Sequence, residues 1–247
     1  MESKFSLPTE TVELPSKGLL YSEDSPLASG VIEMKYMTAR EEDILSNSNY
    51  ISKGIVMDKL LESLIVNKGI NLNELLIGDK NALFVAARIL SYGKEYKVTS
   101  LGKEITVDLS KLDNKKVDEN LFSSNKNEFK FKLPHTDNVV TIKCLTTADE
   151  KAINQEIQGN LKLNKNNDTS SSTRLKHLIT TVNGLTEKKD VREFVDNFLL
   201  AKDAREIRKF YETINPDIDL TYSFINDEGR EERFSIPIGI DFFWPDL

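Results

Sequence analysis

Between residues 31 and 36 the chain reads Val-Ile-Glu-Met-Lys-Tyr, a short β-prone run, and Thr38 then stands three residues ahead of Glu41. That Thr-x-x-Glu spacing is a capping box, whose side chains satisfy the free amides of a helix start, so the pattern predicts a strand leading into a helix. The same order returns about a hundred residues on. In "NVVTIKCLTTADEKAI" (138–153), Val140, Ile142 and Cys144 fill a strand, and Thr147 stands three residues before Glu150. Ile32 and Val140, Met34 and Ile142, Lys35 and Lys143, and Thr38 and Thr146 are each 108 positions apart. Leu-Pro precedes both copies, at Leu14-Pro15 and Leu133-Pro134.

Both copies then change to helical spacing. Val56, Leu60, Leu61, Leu64 and Ile65 share one face of "IVMDKLLESLIVN", and Leu83, Ala86, Ala87 and Leu90 one face of "DKNALFVAARILSYG", closing at Gly93. In the second copy "TRLKHLITTVNG" reads as a helix closing at Gly184, and Val191, Phe194, Val195, Phe198, Ile207 and Phe210 mark two more. Helices with one apolar face need a layer to pack on. Each copy ends in a hairpin pattern, 95–109 and 219–238, turning near Gly102 and Gly229.

These patterns predict an α+β fold of two similar units from a diverged internal duplication, 31–115 and 128–247, each a short strand, two or three helices and a terminal β-hairpin. An extended N-terminal arm, 1–30, precedes them and a polar linker, 116–127, joins them. A second polar tract, 161–173, is expected to be a mobile loop. Chance similarity between two strands that lead into helices is the alternative.

Composition narrows the function. At 247 residues, with 39% hydrophobic and 30% charged side chains, the chain is long enough to bury a core without disulfides. The net charge of −7 and the short, interrupted lysine tract at 123–132 argue against a nucleic-acid partner. One cysteine, Cys144, fits a reducing compartment. The first residues lack a basic-then-apolar signal and the apolar run "ALFVAARIL" is too short to cross a bilayer, so a soluble, cytoplasmic protein without a membrane partner is expected.

Catalytic chemistry finds little support. His135 follows Leu-Pro in a turn, and His177 has no second histidine or cysteine at a ligand interval, so no metal is expected. Neither a phosphate-binding G-x-x-x-x-G-K-[ST] nor a G-x-G-x-x-G is present, and no cofactor or catalytic residue is assigned. Cys144 reads as a small core group. Glu41, Glu42 and Asp43 suit the positive end of a helix, and Asp217 and Asp219 an ordinary turn. A carboxylate hydrolase using Glu41 and Asp149 would need both acids in one cleft; the expectation is that each caps a helix instead.

Two apolar clusters stand out. Leu14, Leu19, Leu20 and Tyr21 are too dense for an arm in solvent, so they lie either on the chain's own core or on a partner. Phe242, Phe243, Trp244 and Pro245 gather near the end of the sequence, and aromatic groups of this size bury themselves in a core or anchor an interface. These eight are the candidate partner-binding residues, with both alternatives open.

Taken together, "LPSKGLLY", "KYMTAREEDIL", "SYGKEY", the polar middle and the terminal "IPIGIDFFWPD" resemble the baseplate hub assembly proteins of T-even-type contractile-tailed phages. The resemblance implies a non-enzymatic, chaperone-like assembly factor. It would work in the cytoplasm of the infected host, with baseplate hub proteins as partners; a homo-oligomer is left open. A permanent baseplate subunit is the alternative. Some relatives carry paired cysteines at the two hairpins, a pattern suited to zinc knuckles. The hairpins here, "VTSLGKEI" (98–105) and "FINDEGREE" (224–232), have no thiol and must hold by strand pairing and packing.

Overall fold

The computed structural model describes residues 7–100, 103–122, 125–163, 169–225 and 229–244, and its first element is β1 (Thr9–Glu13), antiparallel to β2 (Val31–Lys35) with Val12 opposite Ile32. The predicted arm is therefore folded in. Leu14, Leu20, Tyr21 and Leu27 of the connecting loop are buried, and Leu14 N donates to Gly30 O at 2.8 Å to close it. Gly18 has φ +77°, and a Cβ there would lie 2.4 Å from Ala28 O, so only glycine fits the crossing.

Helices α1 (Ala39–Leu45), α2 (Ser48–Ser52), α3 (Val56–Leu64) and α4 (Ile77–Tyr92) follow, then the hairpin of β3 (Glu95–Ser100) and β4 (Lys103–Asp108). Ile65 drops out of the predicted helix to form a single bridge with Met34, because it continues the sheet beside β2. The second half has β5 (Phe129–Lys132), β6 (Val139–Ile142), α5 (Thr147–Leu163) and α6 (Ser170–Leu178). It continues with β7 (Ile179–Val182), α7 (Lys188–Asn197) and α8 (Ala201–Ile214), and closes on the hairpin β8 (Thr221–Ile225) and β9 (Glu231–Ser235).

Three expectations change. The predicted helix "TRLKHLITTVNG" ends at Leu178, and its β-branched Ile-Thr-Thr-Val run becomes β7, third strand of the sheet β5-β6-β7. The second capping box uses Thr146 and Asp149 rather than Thr147 and Glu150. Thr146 N and Oγ1 both donate to Asp149 Oδ2, at 3.0 and 2.9 Å, while the buried Thr147 turns its hydroxyl to Leu75 O. The polar tract expected as a loop over 161–173 is helical at both ends, in α5 and α6, and 164–168 lie outside the described residues.

Several local arrangements occur in both halves. Lys35, Thr38 and Glu41 form one cluster; Lys143, Thr146 and Asp149, 108 positions later, form another. Leu133 N donates to Asn138 O at 2.8 Å as Leu14 N does to Gly30 O. An aspartate in the first turn of α4, Asp79, takes Ser16 N (2.9 Å) and Oγ (2.6 Å) just after the first Leu-Pro. Its counterpart in α8, Asp203, takes His135 N (3.0 Å) and Thr136 Oγ1 (2.8 Å) just after the second.

The halves share one apolar core, which runs through Leu60, Leu75, Leu83, Leu145, Ile153 and Ile214. Thr147 N donates to Leu75 O at 2.8 Å and Ile77 N to Leu145 O at 3.1 Å across the seam. Asp58 of α3 ties Lys80 of α4 (2.6 Å) to Lys151 of α5 (2.7 Å). The predicted linker is held as well: Asp118 N donates to Thr213 O, and Glu119 pairs with Lys17 at 2.6 Å. A last turn, Ile240–Phe243, returns the chain to the first half.

Candidate interaction surface

The eight residues singled out for partner binding divide by burial. Leu14, Leu20 and Tyr21 belong to the core, because the loop that carries them is clasped by Asp79. The Tyr21 hydroxyl donates to Asp79 Oδ2 at 2.5 Å and accepts from Leu76 N at 2.9 Å. Leu19 remains 38% exposed. Phe242 and Phe243 are fully buried: Phe242 tilts on Tyr96 at 5.0 Å between centroids, and Phe243 meets Phe84 edge-on at 6.1 Å. The buried Arg88 fixes them by donating from Nε to Phe242 O at 3.0 Å. Trp244 is half-buried against the core, and Pro245 lies outside the described residues. Leu14, Leu20, Tyr21, Phe242 and Phe243 thus pack in the chain's own core.

The acids considered for chemistry are engaged in the fold. Glu41 Oε1 accepts from Lys35 Nζ (2.8 Å) and Ser63 Oγ (2.6 Å), and Oε2 from Thr38 N (2.8 Å) and Oγ1 (2.6 Å). Burial alone would raise this carboxyl; the hydrogen bonds from Lys35, Ser63 and Thr38 outweigh it and hold it at about 2. Asp149 is likewise held below the ordinary carboxylate range, with burial again opposed by Lys143 and Thr146. Each acid sits in its own helix cap, as expected of both. Asp217 ties Asn81 (3.1 Å) and Lys115 (2.8 Å) to the turn before β8.

Burial pushes the Cys144 thiol well above its ordinary range, and its Sγ–H points at Ile214 O, 3.2 Å away. His177 Nε2 lies 3.0 Å from Glu156, which Arg192 grips with two nitrogens at 2.7 and 2.6 Å. That arrangement ties α5, α6 and α7 together. Among the described residues no group of three or more histidine, cysteine or acidic side chains is placed to hold a metal.

What the surface offers is apolar side chains and shallow grooves. Phe198 is 60% exposed, with Leu200 and Leu185 also open to solvent near the connections of α7. An open groove of about 450 Å³ runs among α1, α2 and α3, lined by Arg40, Asp43, Tyr50, Lys59 and Glu62. None of these positions was among the candidate partner-binding residues of the sequence. Phe198 falls on the apolar face of its helix pattern, and only the break after Asn197 turns it outward.

Compared with known proteins, residues 8–244 match the family model described as T4 bacteriophage base plate protein. Comparison with curated proteins and with solved structures gave no match.

Proposed function

From the premise that the chain belongs to the T4 bacteriophage base plate protein family, we propose that it is a non-enzymatic assembly factor for the central hub of the baseplate. It acts through protein contacts in the host cytoplasm and leaves once the hub is built. One observation carries the non-catalytic part. Glu41 and Asp149, the two acids a carboxylate hydrolase would use, and the buried Asp79 and Asp203 are each engaged by hydroxyls, amides or lysines that hold the fold. Phe198, Leu200 and Leu185 supply apolar contact area of the kind that partners cover. No helix among the described residues is long and apolar enough to cross a membrane.

The second reading, a permanent baseplate subunit, rests on the same family membership and differs in the fate of the protein. Quantitative mass spectrometry of purified particles, with infected-cell lysate alongside, separates the two. An assembly factor is abundant in the lysate and far below one copy per baseplate in the particle. A stoichiometric signal in particles overturns the transient role. Co-expression with individual hub proteins, followed by affinity isolation, identifies the partner.

A further inference from the structure

The two terminal hairpins leave the fold side by side, and their roots are stitched together. Asp219 N donates to Asp113 O and Lys115 N to Asp217 O, both at 2.8 Å, with Asn114 opposite Ile218. Beside this ladder lies an open groove of about 340 Å³, lined by Thr106 and Asp108 of β4, Thr221 and Tyr222 of β8, and Asp113 and Asp219. Lys111 is the one cation in that lining, against three carboxylates, of which Asp108 already pairs with Lys94 at 3.1 Å and leaves Asp113 and Asp219. The whole chain carries a net charge of −7, which adds to the local field.

The backbone of β4 is available on this side. Among the described residues β4 pairs with β3 alone. Leu109 N donates to Lys94 O, and the register sets Glu95 opposite Asp108 and Lys97 opposite Thr106. Hydrogen-bonded and non-hydrogen-bonded pairs alternate along an antiparallel ladder, so the N–H and C=O of Thr106 and Asp108 turn away from β3. The facing strand is less open at its root, where Thr221 N already donates to Asp219 Oδ1 at 2.9 Å. An unpaired strand edge is a template for an added strand, and charge selects which strand it takes.

We propose that this groove binds an extended, lysine- or arginine-bearing segment of a partner protein. The segment adds as a strand along the free edge of β4 and sets its cations against Asp113 and Asp219. The proposal deepens the reading of the chain as a protein that works by contacts and rests on that reading. An acetylated, amidated hexapeptide alternating lysine and valine is the probe, titrated into the ¹⁵N-labelled full chain, with a glutamate-valine hexapeptide as control.

The expected result is amide shifts concentrated at 106–113 and 219–222, slowed exchange of the Thr106 and Asp108 amides, and at least tenfold weaker binding of the acidic peptide. Thr106→Pro removes an outward N–H without touching the β3 ladder and abolishes the response. Asp113→Lys, an exposed change that keeps the assay informative if the proline variant misfolds, weakens binding about tenfold. Shifts elsewhere, equal binding of both peptides, or no response at millimolar peptide overturns the proposal. Because the probe needs no phage component, its failure alongside successful isolation of a hub protein removes the groove and leaves the baseplate role standing. Peptide binding without any baseplate partner does the reverse.

Discussion

Two buried carboxylates make opposite demands on pH. Glu41 is held near 2 in the fold against an ordinary value of 4.5. Its contribution is therefore complete above the ordinary value and is lost as the pH falls from 4.5 toward 2. Glu41→Gln leaves Lys35 without its charge partner and should cost about 2–3 kcal/mol at neutral pH. It should also flatten the acid side of the stability profile, read as urea midpoints at pH 7, 4 and 3; an unchanged acid slope would rule the cluster out as a determinant. Asp79 shifts the other way, because burial raises it further than Ser16 and Tyr21 lower it. Its proton stabilises the fold at low pH, and that contribution fades as pH rises through the raised value. Asp79→Asn is expected to reduce that decline above pH ~4. Tyr21→Phe leaves Leu76 N without its partner and removes one of the two donors to Asp79 Oδ2, and should cost about 2 kcal/mol at neutral pH, seen as a lower urea midpoint.

Among the elements, α4 joins the halves, packing against α3, α5 and the last turn. Gly78 in its first turn lets the turn at Pro216 come so close that a Cβ would stand 2.0 Å from Pro216 O. Gly78→Ala should destabilise the protein by about 3 kcal/mol despite alanine's better helix propensity, measured by thermal or urea unfolding. A neutral result would mean the two segments separate easily. Elements with strong local patterns were legible from sequence: β2, α3, α4, α8 and both hairpins follow from alternation, 3.6-residue spacing and glycine turns. Those decided at a distance were not. The strand β1 is a polar Thr-Glu-Thr-Val-Glu run whose only strand partner among the described residues is β2, and β7 continues a helical pattern until β6 claims its β-branched residues. Thr146 and Thr147 are equivalent as caps until Leu75, from the other half, takes the second hydroxyl. The Asp79 and Asp203 clasps carry no local signal at all, since each grips a turn more than sixty residues away. For the same reason the clusters around Tyr21 and Phe242 read equally well as core or surface.

For the molecule as a whole, we propose that the two halves descend from one duplicated unit. Its support is the repeat of strand, Leu-Pro turn, strand, lysine-threonine-acid cap, aspartate clasp and hairpin. An experimental structure in which 9–45 and 129–153 fail to superpose on their paired strands and caps would refute it. The repeat is not symmetric in its outcome. The first half has a lone bridge where the second has β7, and a 3-10 turn (Leu72–Glu74) precedes α4 where α7 precedes α8. The last turn docks on the first half, and Phe243→Ala should cost about 3–5 kcal/mol there, with a matching loss of the urea midpoint. A small effect would place Phe243 outside the structural core.

The bond from Arg88 to Phe242 spans 154 positions, and translation runs in one direction. The ribosome thus delivers the aromatic seat at Phe84 and Tyr96 long before the rings that fill it. Throughout that interval Phe84 and Tyr96 lack the rings they pack against in the finished fold.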